Sequence, residues 1–145
     1  IRRQRQMCIR DSNTTVRPGI ELVLDLAHGR EACAWADVII TGEGSIDSQT
    51  PYGKVPNGIA KLAQSQGKPT IAIGGTVTRD PHTIEALNET GIVATFGIAP
   101  GSADLATLIA NTERNVEITC AAIAGTLRVA SATAVAAATS PCESA

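Results

Sequence analysis

One stretch of the chain gathers most of the side chains able to do chemistry: Thr41-Gly42-Glu43-Gly44-Ser45-Ile46-Asp47-Ser48-Gln49-Thr50-Pro51-Tyr52-Gly53-Lys54. Glu43 and Asp47 place two carboxylates four positions apart, Lys54 adds a cation, and Thr41, Ser45 and Ser48 add hydroxyls. Carboxylates hold hard cations such as Mg²⁺, an ammonium group neutralises phosphate charge, and loop amides cradle anionic oxygens. Gly42 and Gly44 flank Glu43, where a bare backbone can turn tightly and approach a ligand closely. These residue types suit a Mg-nucleotide or sugar-acid site. They are equally ordinary in a structural turn between a sheet and a helix.

Generic motifs do not decide between these readings. The run GEGSID departs from GxGxxG because Asp47 stands at its sixth position. The phosphate-loop pattern GxxxxGK[ST] fails because Val55 follows Gly53-Lys54 and Ser48 occupies the leading glycine position. Other reactive types read as structural. His28, in His28-Gly29-Arg30, is expected in a surface turn, and His82 in the exposed first turn of a helix. Trp35 is expected to pack a helix on the sheet, and Thr76–Asp80 to form an exposed loop.

The elements that must position these groups alternate in type. Short apolar runs at Asp37–Thr41, Thr70–Ile73 and Ile92–Ile98 read as strands buried in a parallel sheet. Between and around them, helices are expected over Gly19–Leu26, Arg30–Ala36, Pro56–Gln66, Pro81–Thr90, Ser102–Asn111 and Glu113–Leu127. Asp80 before Pro81 is an N-cap signal, Gly67 is a helix stop, and Ser102 is a candidate cap. Strands alternating with helices imply a three-layer, Rossmann-like α/β fold with a parallel sheet. Such folds usually carry five or six strands, so three imply part of a larger architecture. In them, ligands bind beyond the carboxyl ends of the strands, where the Thr41–Lys54 stretch falls.

Read as a whole, that stretch is more specific than its parts. Ala36-Asp37-Val38-Ile39-Ile40-Thr41-Gly42-Glu43-Gly44, Ile46-Asp47-Ser48-Gln49-Thr50 and Gly53-Lys54-Val55-Pro56-Asn57-Gly58-Ile59-Ala60 resemble the type I glycerate kinase family. Pro18–Asp25, Gly67-Lys68-Pro69, Gly74-Gly75 and Gly91-Ile92 extend the resemblance over about residues 18–127. It implies the C-terminal portion of a cytoplasmic two-domain kinase that phosphorylates glycerate from ATP with Mg²⁺, giving phosphoglycerate phosphorylated at the 2-position. Its missing remainder would be this segment's partner. On the matching positions, Glu43 and Asp47 are candidates for metal binding or for activating the glycerate hydroxyl, with the division between them open. Lys54 is the candidate for stabilising the transferred phosphate. Thr41, Gly42, Gly44, Ser48 and Gly53 are candidate substrate- or phosphate-binding positions. Ser45 stands where the family has arginine, and Asn57 where it often has an aliphatic residue. The rival reading is a non-catalytic α/β fragment or anion-binding module without turnover.

Composition bounds both readings. The chain has 145 residues, 43% hydrophobic and 18% charged, with a formal net charge of −2. Residues 1–12 carry four Arg against one Asp, whereas residues 19–127 carry 12 acidic and 6 basic side chains. An acidic body argues against sequence-independent nucleic-acid binding, which needs clustered cations. No apolar stretch reaches the length of a membrane span. Cys8, Cys33, Cys120 and Cys142 form no CxxC or Cys/His cluster, and Cys33 and Cys120 are expected as buried thiols in a reducing, cytoplasmic setting. Residues 1–17 read as a non-native or disordered basic leader, 18–127 as the α/β domain, and 128–145 as an Ala/Ser/Thr-rich tail.

Overall fold

A computed structural model describes residues 17–139, with side chains through residue 132. The leader expected over 1–17 therefore lies outside the described residues except for Arg17. Cys8 and Cys142 also fall outside them.

The chain runs α1 (Gly19–Leu26), α2 (Gly29–Trp35), β1 (Ile39–Ile46), α3 (Val55–Gln64), β2 (Thr70–Val77), α4 (Pro81–Glu89), β3 (Ile92–Gly97), α5 (Leu105–Ala110) and α6 (Thr112–Thr139). The three strands form one parallel sheet in the order β1-β2-β3. This is the mixed α/β, parallel-sheet architecture implied by the alternation of apolar runs. Among the described residues, no helix is long and apolar enough to cross a membrane.

Two helices return the chain between the parallel strands. Pro56 in the first turn of α3 brings a preset φ where its missing N–H is not needed. Asp80 caps α4, its carboxylate accepting from the Thr83 amide at 2.9 Å and the Thr83 hydroxyl at 2.7 Å. Ala60 of α3 and Leu87 of α4 share a buried cluster with Ala72, Ile92 and Ile46, so both helices close on one side of the sheet. The small residues of α3 let it approach β1 and β2 closely.

Several boundaries differ from the sequence expectation. Pairing keeps β1 extended through Ile46 and β2 through Val77, with Glu43 opposite Gly74 and Ser45 opposite Thr76. Gly42, Glu43 and Gly44 are thus strand residues, and Gly74-Gly75 lie within a strand. Gly74 has little room for anything larger: an added Cβ would sit 2.8 Å from the Thr76 carbonyl oxygen and 2.9 Å from Ile46 Cγ1. Asp104, not Ser102, caps α5, accepting from the Thr107 amide at 3.0 Å. Helix α6 continues past Leu127 to Thr139, so residues 128–139 of the expected tail are helical. Trp35 is 89% exposed rather than packed on the sheet. Cys33 is buried and Cys120 half-buried. His28 takes a left-handed turn conformation at φ 52° between α1 and α2, as its place beside Gly29 suggests.

Leu87 is fully buried at the contact between α4 and the sheet. Leu87→Ala should destabilise the fold by about 2–5 kcal/mol through lost burial and a residual cavity. Ile92→Val, which removes one methylene from the same cluster, should cost about 0.5–1.5 kcal/mol. Urea unfolding midpoints of the two variants against the parent chain would check both.

Candidate active site

The three charged candidates meet in space. Lys54 Nζ lies 3.5 Å from Glu43 Oε1 and 3.1 Å from Asp47 Oδ1, bonding also to Asp47 Oδ2 at 3.3 Å. Glu43 is supplied by β1, Asp47 by the first position after it, and Lys54 by the residue that enters α3. The side chains are 31%, 40% and 25% exposed respectively, so the ammonium sits at the surface end of the sheet and remains accessible.

Local hydrogen bonds give the connecting turn its shape. The Asp47 carboxylate accepts from the Gln49 amide at 2.9 Å, and the Asp47 amide donates to Thr50 Oγ1 at 3.0 Å. The Thr50 amide returns a bond to the Asp47 carbonyl at 3.0 Å, and the Thr50 side chain is completely buried. Gly53 then turns the chain at φ 102°, a left-handed conformation strained for any residue with a Cβ, and directs Lys54 back toward the carboxylates. One further bond, from the Thr78 amide to the Ile46 carbonyl at 2.8 Å, ties the end of β1 to the end of β2.

The electrostatics follow from these contacts. The Gln49 amide, followed by the Lys54 ammonium and the Ser45 hydroxyl, holds the Asp47 carboxyl below its ordinary pKa. The Asp47 carboxylate, with help from the Glu43 charge, holds the Lys54 ammonium above its ordinary value against the opposing effect of desolvation. Glu43 Oε2 is buried and has no hydrogen-bond partner among the described residues. A buried carboxylate oxygen without a donor is costly unless something else supplies one.

The remaining candidates occupy distinct places. Thr41 is buried within β1, and Gly42 and Gly44 lie on β1 beside a groove that also includes Glu43. Ser48 is exposed on the turn, and Gly53 forms its far corner. Two contributors were not singled out from the sequence. Thr50 supplies the acceptor that closes the turn; its signal was a hydroxyl three positions after an aspartate. Thr76 donates to Ser45 Oγ at 2.9 Å across the β1–β2 pair, a contact that follows from strand register rather than from spacing along the chain. Among the described residues, no group of three or more His, Cys, Asp and Glu side chains is arranged to hold a metal ion. Any cation here would rest on Glu43 and Asp47 together with oxygens from a ligand.

Comparison with known proteins places this geometry in context. The model of the glycerate kinase family matches residues 9–128. A glycerate kinase of Bacillus cereus is 42% identical over 117 residues, covering 81% of this chain and 30% of the relative. A glycerate 2-kinase of Escherichia coli is 39% identical over 83 residues, covering 57% of this chain and 21% of the relative. Among solved structures, a Salmonella typhimurium LT2 protein bearing the name glycerate kinase 2 superposes with a TM-score of 0.58 at 38% identity. That match covers 79% of this chain and 28% of the Salmonella chain. The chain thus spans three-tenths or less of the length of these relatives.

The turn's ion pairing sets a pH response. Because the folded pKa of Asp47 lies below that of an unfolded aspartate, about 3.9, its ionised form stabilises the fold above that value. The contribution is lost as pH falls through the lowered folded pKa. Lys54 runs the opposite way: its contribution is present below the unfolded value, about 10.4, and is lost as pH rises through the raised folded one. In a carbon-detected NMR titration, Lys54→Met should move the Asp47 midpoint upward. An unmoved midpoint would leave the Gln49 amide and the Ser45 hydroxyl as the causes.

Proposed function

The chain belongs to the glycerate kinase family, and from that premise we propose that it carries part of the phosphoryl-transfer site of an ATP-dependent glycerate kinase. The observation that carries this reading is the Lys54 ammonium seated between Glu43 and Asp47 at the carboxyl end of β1. Ligands of open parallel sheets collect at such ends. The rest of the family's length would complete the site and is the first partner of this segment.

Phosphoryl transfer asks little covalent chemistry of a protein; it asks for positioning and for charge stabilisation. Lys54 meets the second need by drawing negative charge from the transferred group. The backbone at Gly42, Gly44 and Gly53 can approach phosphate oxygens without side-chain interference, with Thr41 and Ser48 adding hydroxyls at the margins. Asp47 stays ionised at neutral pH and anchors the ammonium. Glu43, with one oxygen lacking a partner, is the carboxylate free to take the glycerate hydroxyl proton as the new P–O bond forms and the γ-phosphorus bond to the departing ADP breaks.

Mg²⁺ is held by few protein oxygens and completes its shell with water and phosphate. The Asp47 carboxylate, kept ionised by its neighbours, fits that sparse requirement and leaves Glu43 Oε2 for the proton. When bound, the ion would neutralise charge across the donor phosphates. The name glycerate 2-kinase borne by the Escherichia coli relative supports phosphorylation at the 2-hydroxyl. Such a reaction is at home in the cytoplasm, where ATP is supplied.

The test is ADP release from ATP, Mg²⁺ and D-glycerate by the full-length protein. Asp47→Asn and Lys54→Met should each lower kcat by about a hundred- to ten-thousandfold, with the circular-dichroism spectrum retained. Unchanged turnover in Asp47→Asn would remove Asp47 from the mechanism. Binding of Mg-ATP without glycerate-dependent turnover in the parent protein would mark a nucleotide-binding module instead.

A further inference from the structure

Beside the ion cluster lies a groove of about 440 Å³, bounded by the carboxyl ends of β1 and β2 on one side and by α5 and the start of α6 on the other. Gly42, Gly44 and Gly75 line its sheet side together with Ile73 and Thr76, and Leu105 and Ile109 line it from α5. Asn115, buried in α6, is one of its polar lining residues, with Glu43, Thr76 and Thr112. Glu43 belongs to this lining as well as to the Lys54 ion pair, so the groove opens directly beside the cation.

Those properties select among the reactants. Glycerate is a small acid whose two carbons beyond the carboxylate each bear a hydroxyl, with almost no surface that an aliphatic wall would favour. A nucleobase is flat, apolar on its faces and polar at its edges, and it is covalently joined to the phosphates that Lys54 would meet. The groove's volume lies within the range of small-molecule sites, about 300–1,000 Å³. Ile73 and Ile98 add apolar lining against which one ring face can lie. We propose that this groove takes the purine ring of the phosphoryl donor, between the glycine-rich sheet end and the aliphatic side of α5. The polyphosphate then runs past Glu43 to Lys54, and Asn115 offers its amide to the ring edge. This subsite rests on the phosphoryl-transfer reading and specifies where its donor binds.

Leu105 and Ile109 are 72% and 64% exposed, so replacing them leaves the core intact. The experiment compares the parent protein, full-length, with its Leu105→Ser/Ile109→Ser double variant by calorimetric titration of Mg-ATP and, separately, of inorganic tripolyphosphate. The double variant should bind ATP roughly tenfold or more weakly while binding tripolyphosphate as the parent does. Unchanged ATP affinity, as would follow if another part of the protein covered the groove, overturns the subsite. So does equal weakening for both ligands. The two readings fail differently. If the parent turns over glycerate and the variant retains its ATP affinity, the subsite alone is wrong. If the parent binds neither ATP nor tripolyphosphate, the phosphoryl-transfer reading falls and the subsite with it.

Discussion

The structure around the site depends on one ammonium group held between two carboxylates. Glu43 and Asp47 are close enough to share Lys54 Nζ at 3.5 and 3.1 Å, and without that cation their charges would face each other at the end of a strand. Satisfying the arrangement fixes much else. The strand must end at Ile46, the turn must accept a left-handed residue at Gly53, and the helix must begin immediately after Lys54. The turn's own bonds, between Asp47 and Gln49 and between Asp47 and Thr50, hold the backbone in a place from which the lysine reaches both acids.

Beneath this surface arrangement, the sheet and its two crossover helices supply rigidity. Ile46 joins the charged turn to the buried cluster, since the residue that ends β1 packs with Ala60, Ala72, Leu87 and Ile92. Glycine at position 74 lets that side chain lie against β2. The site is therefore mounted on the buried apolar cluster, with Glu43 before Ile46 and Asp47 directly after it.

Much of this was legible in the sequence, for identifiable reasons. Asp80-Pro81 and Gly67 marked helix ends because capping and helix termination are local chemistry, and the apolar runs marked strands because burial demands them. The block from Thr41 to Lys54 carried the family resemblance and all three charged candidates. What escaped the sequence depends on pairing across space. β1 continues through Glu43 to Ile46 because β2 lies beside it, and nothing in the glycine-rich run signals extension. The Thr76–Ser45 bond needs the same register. Trp35 was expected to pack because tryptophan usually does, whereas its 89% exposure is decided by neighbours that periodicity does not reveal. Asp104 displaced Ser102 as the cap of α5 because two candidates lay two residues apart and only one met the Thr107 amide.

The three charged residues lie within a run of twelve consecutive positions, 43–54, and the bonds that join Asp47 to Gln49, Thr50 and Lys54 are all made inside that run. Contacts this close along the chain carry little loop-closure entropy and can form early in folding. Their arrangement asks of the distant chain mainly that β2 arrive alongside. Such a cluster behaves as a heritable cassette: recombination with a breakpoint elsewhere carries it whole into a new context, whereas a breakpoint inside it separates an acid from its counter-ion.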